Sequence, residues 1–222
     1  MSVKISVPSL REFDSAFGEI GLMVGPRTGP NKRTKDDKEW YVVRRFLKEA
    51  ALAKVFQCPL TIQKTYPPAP DFLLENANGA AQLEITEATD EADQIEMTKI
   101  ELSNQSATLI GEFGGRFSEG ASQPGRAWAS DVIDAISRKE GKSIFQKASV
   151  GRHLIIYPNS NASSLLFDGD DEREAFAFLE AAVAKKRQDF IRATNGCFVH
   201  ILGKEHIFLD IVGEGQVRPR LN

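Results

Sequence analysis

The sequence predicts an α/β fold, a central mixed β-sheet flanked by helices. Three observations lead there. Residues 60–66 alternate apolar and polar side chains, and residues 70–89 carry two apolar-rich runs around an Asn78-Gly79 turn signal. Segments 36–57, 128–147 and 171–194 place apolar residues at helical spacing. A compact apolar run, His153 to Tyr157, lies between the second and third of these and suits a strand covered on both faces.

The 222 residues suffice for one large domain or for one domain with an appendage. Apolar content of 41% supplies a sizeable core. The net charge of -3 gives no support for capture of nucleic acid by the chain as a whole. Two cysteines, Cys58 and Cys197, stand far apart without metal-ligand spacing, which suits a reduced cytoplasmic protein. His153, His200 and His206 form no zinc-binding pattern. No apolar run approaches the roughly 18 residues of a membrane span, and no signal peptide is evident.

In chain order, residues 1–37 form an N-terminal arm and basic loop, and residues 38–222 a single α/β domain. The arm opens with a β-like run, Val3 to Val7, and then carries Phe13, Phe17, Ile20, Leu22 and Met23. The Gly/Pro-rich loop that follows holds Arg27, Lys32, Arg33 and Lys35, a solvated linker or a phosphate-contacting cluster. The helix over 36–57 takes Asp36 or Asp37 as its N-cap and stops before Pro59. With about 100° per residue, Trp40, Val43, Phe46, Leu47, Ala50 and Ala51 form its apolar stripe. Glu39 falls inside that stripe and Glu49 on its flank. Glu39 either approaches a metal site or complements the helix dipole from the first turn.

Pro67-Pro68-Ala69-Pro70 bends the chain into the hairpin. If Asn76 to Gly79 form the loop, Glu75 faces Ala80 and Asp71 stands opposite Glu84. If the loop is only Asn78-Gly79, Asp71 faces Thr86, with Glu84 one diagonal step away. Both registers put Asp71, Glu84 and Thr86 on one face, whereas a three-residue loop would separate them. Two carboxylates opposed across strands repel unless a cation lies between them, and oxygen ligands of this kind suit Mg²⁺ or Mn²⁺. The alternative is another register, or acids at the solvated rim of the sheet.

An acidic segment after Thr89 runs into a helix ending near Asn104, and residues 111–126 form a Gly-rich loop without a phosphate-binding fingerprint. The helix over 128–147 ends in Lys139, Lys142 and Lys147. The helix over 171–194 presents Lys185, Lys186, Arg187 and Arg192 on its polar side. Cys197 to Leu202 and His206 to Val212 make a final hairpin, and the tail from Gly213 is polar and loose.

The order helix, three-strand meander, helix, strand, together with Pro70-Asp71 and Leu83-Glu84-Ile85-Thr86, resembles the PD-(D/E)xK nuclease superfamily over roughly residues 38–157. The resemblance implies a restriction-endonuclease-like core with an extra C-terminal helix and hairpin. It implies a nuclease that hydrolyses phosphodiester bonds of DNA, with RNA as the other candidate, using Mg²⁺ or Mn²⁺. Asp71 and Glu84 would hold the metal, and Glu39 or Glu49 would complete the site. Thr86 stands where the motif has lysine. A threonine hydroxyl can bond water but carries no charge, so Lys139 or Lys142 would have to supply the missing ammonium. Arg27, Lys32, Arg33, Lys35, Lys185, Lys186 and Arg187 would follow the nucleic-acid backbone. A homodimer or a protein partner is compatible with this reading. So is a degenerate member of the fold that binds nucleic acid or a protein without cutting.

Overall fold

The computed structural model describes residues 3–22, 34–52, 55–88, 124–139, 151–158, 169–194, 197–202, 206–209 and 217–219. Over the described residues the chain is an α/β protein with a mixed open sheet and four helices. Its helices are α1 (Phe13–Phe17), α2 (Lys35–Leu52), α3 (Pro124–Ser137) and α4 (Gly169–Thr194). Six strands form the body of the sheet: β1 (Lys4–Val7), β2 (Leu60–Lys64), β3 (Phe72–Asn76), β4 (Gly79–Ala88), β5 (Gly151–Pro158) and β6 (Phe198–Leu202). Two short strands, β7 (His206–Leu209) and β8 (Val217–Pro219), extend it at one edge. Spatial order follows chain order throughout. The pairings β4–β5 and β5–β6 are parallel, and the rest are antiparallel.

The two faces of the sheet carry separate cores. On one, α2 and α1 pack Trp40, Phe46, Leu47, Phe13 and Phe17 against Ile62, Phe72, Leu74 and Leu83. On the other, α3 and α4 pack Trp128, Val132, Ile136, Leu179 and Val183 against Leu154, Ile156 and Val199. Strand β5 feeds both, since Ile155 joins the first core and Leu154 and Ile156 the second. That is the covered strand expected from its unbroken apolar run.

Several expectations need correction at element ends. Helix α2 is capped by Thr34, whose hydroxyl accepts the Asp37 N–H at 3.1 Å while the Asp37 carboxylate accepts the Thr34 N–H at 2.6 Å. This reciprocal capping box leaves Asp36 and Asp37 inside the first turn rather than at the cap. The helix ends at Leu52, not at Gln57. Helix α3 starts at Pro124, inside the stretch expected to be loop, because proline suits the first turn of a helix. It ends at Ser137, short of the expected 147. The tail expected to be loose contributes β8, which pairs with β7 through Leu209↔Val217. In the N-terminal segment, β1 pairs with β2 and Phe13 and Phe17 enter the core. Arg44 fastens that segment by donating to the Gly18 and Ile20 carbonyls and to Asp14. The helix expected near residues 95–104 lies outside the described residues, as do Arg27, Lys32, Arg33 and Lys142.

Candidate active site at the fork of β3 and β4

The hairpin adopts the first of the two registers. Glu75 pairs with Ala80 and Phe72 with Leu83. The pairing continues to Asn76↔Gly79, so Ala77 and Asn78 alone form the turn and Gly79 opens β4 with φ of +132°, a backbone that favours glycine. Asp71 directly precedes Phe72, and Glu84 directly follows Leu83. Phe72 and Leu83 both face the α2 core, so Asp71 and Glu84 come out of phase with them, toward α3.

Here the two strands part. Pairing of β3 with β4 stops at Phe72↔Leu83, while β4 runs on to Ala88 beside β5. The next backbone donor on β4, the Ile85 N–H, is accepted at 2.8 Å by the Asp71 carboxylate through Oδ2. The main-chain carbonyl of Asp71 accepts the N–H of Thr65, the residue just past β2, at 2.9 Å. Asp71 is thus held at both ends and caps the fork.

Glu84 is buried, and its Oε1 accepts from the Lys139 ammonium at 2.8 Å. Lys139 lies two residues past α3 and is itself buried; its Nζ also lies 3.5 Å from the Ile85 carbonyl oxygen. Arg138 beside it donates to the Glu87 carbonyl at 2.8 Å. The end of α3 is therefore tied to β4 by side chains. An ammonium thus stands next to Glu84, while Thr86, two residues on and in phase with Glu84, is half-buried.

Burial, and then the neighbouring Glu84 charge, push the Asp71 carboxyl above the ordinary aspartate value; the Ile85 N–H, Lys64 and Lys139 offset this in part. Lys35, at the start of α2, is held above the ordinary lysine value, chiefly by Glu39, with Asp71 and Glu84 adding to it. Its side chain is 78% exposed, so a cation sits at the mouth of the cluster.

Glu39 is buried, as its place in the α2 stripe requires, and two lysines account for it. Lys64 donates to its Oε2, and Lys35 lies 3.3 Å from its Oε1. Glu49 stands ten residues further along α2, about 15 Å at 1.5 Å per residue, and pairs with Arg45 at 3.3 Å. That separation removes Glu49 from any site containing Glu39. Lys185 and Lys186 are exposed on α4, around a local break at Lys186, and half-buried Arg187 follows. Neither Lys185 nor Lys186 makes an ion pair with these acids.

Lys64 is the residue that sequence reasoning passed over. It is buried between α2 and β3, over the Phe72 ring at 4.8 Å and the Tyr66 ring at 5.3 Å. The signal was present: Leu60, Ile62 and Lys64 share one phase of β2, so a strand with Leu60 inward must turn Lys64 inward too.

Among the described residues, no group of three or more His, Cys, Asp or Glu side chains is placed to share a metal ion. Two carboxylates remain. Asp71 makes no ion pair among the described residues, and Lys139 engages Glu84 through Oε1. Such a donor pair fits Mg²⁺, which keeps several waters and commonly takes only one or two carboxylates together with substrate phosphates. No family model matches this sequence, and neither a curated protein nor a solved structure matches it.

Proposed function

We propose that this protein is a divalent-metal-dependent nuclease with a restriction-endonuclease-like core, cutting phosphodiester bonds of DNA. The observation that carries the reading is the Lys139 ammonium against Glu84, opposite Asp71, at a fork between two strands. An acid on the second strand of a meander, an acid on the third and a lysine beside it are the parts such chemistry needs. The order α2, β2, β3, β4, α3, β5 supports the same core.

Asp71 and Glu84 would hold the ion, whose contribution is to acidify a bound water and neutralise phosphate charge. Asp71 meets this role because its carboxylate is incompletely neutralised by its surroundings. Lys139 uses two of its three ammonium hydrogens on Glu84 and the Ile85 carbonyl, which leaves one for a water or a phosphate oxygen. It does so without reorganisation, because both partners are main-chain or buried groups of the sheet. Lys35, exposed at the mouth, meets the substrate backbone first.

Thr86 at the motif position favours a second reading, a fold of this kind that binds nucleic acid without cutting. Incubating plasmid DNA and a single-stranded RNA with the protein in Mg²⁺ or Mn²⁺ separates the two. Nicking or linearisation that Glu84→Gln and Lys139→Met both remove supports the enzyme. Intact nucleic acid under both ions, with retained binding, supports the second reading.

A further inference from the structure

Resting on that nuclease reading, we infer that the Lys64 ammonium occupies the place of a second cation, so that the site takes one divalent ion and Glu39 is not among its ligands. Glu39 lies on the inward stripe of α2, and Lys64 on the inward phase of β2. Their side chains are 7% and 3% exposed. Lys64 donates to Oε2 of Glu39 and lies 3.5 Å from the main-chain oxygen of Asp71, so it bridges α2 to the residue that leads into β3 and that would hold the metal. Lys35 takes the other carboxylate oxygen of Glu39. Asp36 adds a weaker contact to Lys64 at 3.9 Å.

Both oxygens of Glu39 thus face ammonium groups, and a divalent ion bound there would have to displace a buried lysine. Topology agrees. Glu39 and Lys64 belong to the α2 face, where Lys64 pairs with Phe72, whereas Glu84 and Lys139 belong to the α3 face. What Lys64 does for Glu39 is what a metal would do: it neutralises a buried carboxylate and ties it to the Asp71 backbone. Lys64 is a positioning residue, acting through Asp71 rather than on the substrate.

The test is the number of ions bound, measured by titrating the full chain with Mn²⁺ alone and following free Mn²⁺ by electron paramagnetic resonance. Wild-type protein is expected to bind one Mn²⁺ per chain. Glu39→Gln should keep that ion with affinity within about threefold, while Asp71→Asn and Glu84→Gln lose it. Lys64→Met should admit a second Mn²⁺, because Oε2 of Glu39 and the Asp71 main-chain oxygen then lose the ammonium they share. Two ions in wild type, a loss of about tenfold or more in Glu39→Gln, or a single ion in folded Lys64→Met would overturn the inference and leave the nuclease reading standing. Absence of any bound ion in wild type would overturn both. Should Lys64→Met not fold, the wild-type stoichiometry and Glu39→Gln decide the matter.

Discussion

Lys139 and Glu84 meet at 2.8 Å across 55 positions of sequence, both buried, at the point where β4 leaves β3 behind. Breaking a buried pair from one side strands the other charge and costs about 3–5 kcal/mol. Lys139→Met is therefore expected to lower stability by an amount of that order. On the proposed reading it also lowers cleavage by about a hundredfold or more, the usual cost of removing one preorganised donor. The double variant Lys139→Met/Glu84→Gln separates the two effects. Chemical denaturation should show most of the stability restored, while cleavage stays absent. Full activity in folded Lys139→Met would remove Lys139 from the chemistry.

Asp71 trades stability for its charge. Burial and Glu84 raise its carboxyl above the ordinary value of 3.8, so the folded protein favours the protonated form more than the unfolded chain does. That contribution is present below pH 3.8 and is lost as pH rises through the elevated folded value, which leaves a destabilising carboxylate at pH 7. Asn keeps an acceptor for the Ile85 N–H and carries no charge. Asp71→Asn should melt higher than wild type at pH 7, by about 2–4 °C for each kcal/mol relieved, and the gain should shrink as pH falls toward 4. On the proposed reading Mn²⁺ raises the melting temperature of wild type, and that rise should vanish in the same variant. Lower melting of Asp71→Asn at pH 7 would contradict the assignment of strain to the carboxylate.

The hairpin itself was legible because alternation and a turn signal act within twenty residues, but its register stayed open between two loops, and the turn that forms is Ala77-Asn78 rather than Asn78-Gly79. The inward turn of Glu39 was legible for the same reason, through the angular stripe of α2. Its partner was not, since the phase of Lys64 on β2 has meaning only once Leu60 and Ile62 are known to face α2. Lys139 could be named as a candidate but not chosen over Lys142, because docking of α3 on the sheet is tertiary. The Thr34 cap was readable as Thr34-x-x-Asp37 and was passed over in favour of the first acids in the run. Strand β8 had no local signal: three residues including a proline pair only because β7 offers an edge.

Gly21 is bound to the start of α2 by geometry alone. Its φ is +67°, and a Cβ built there would lie 2.5 Å from the Trp40 carbonyl oxygen. Gly21→Ala combines a left-handed backbone with a main-chain clash and is expected to cost about 2–3 kcal/mol. Urea unfolding should show a lower midpoint with an unchanged slope. A midpoint equal to that of wild type would mean that residues 18–22 do not pack on α2 as described.

His153 and His200 form a buried pair, Nδ1 to Nε2 at 2.9 Å, with the Phe46, Phe56 and Phe198 rings around His153. Such a bond needs one ring to donate and the other to accept. Burial pushes the His153 imidazole down to about 4, so the folded state holds it neutral where the unfolded chain would already be protonated. The unfolded state binds more protons between pH 6.5 and 4, and stability must fall with pH across that window. It is complete above 6.5 and fully lost below 4. A depression of this size corresponds to roughly 3 kcal/mol. Melting temperatures taken from pH 7 to pH 4 should drop more steeply for wild type than for His153→Phe, which keeps an aromatic ring against Phe56 and removes the titrating group. Parallel curves for the two proteins would show that His153 is not held neutral by the fold.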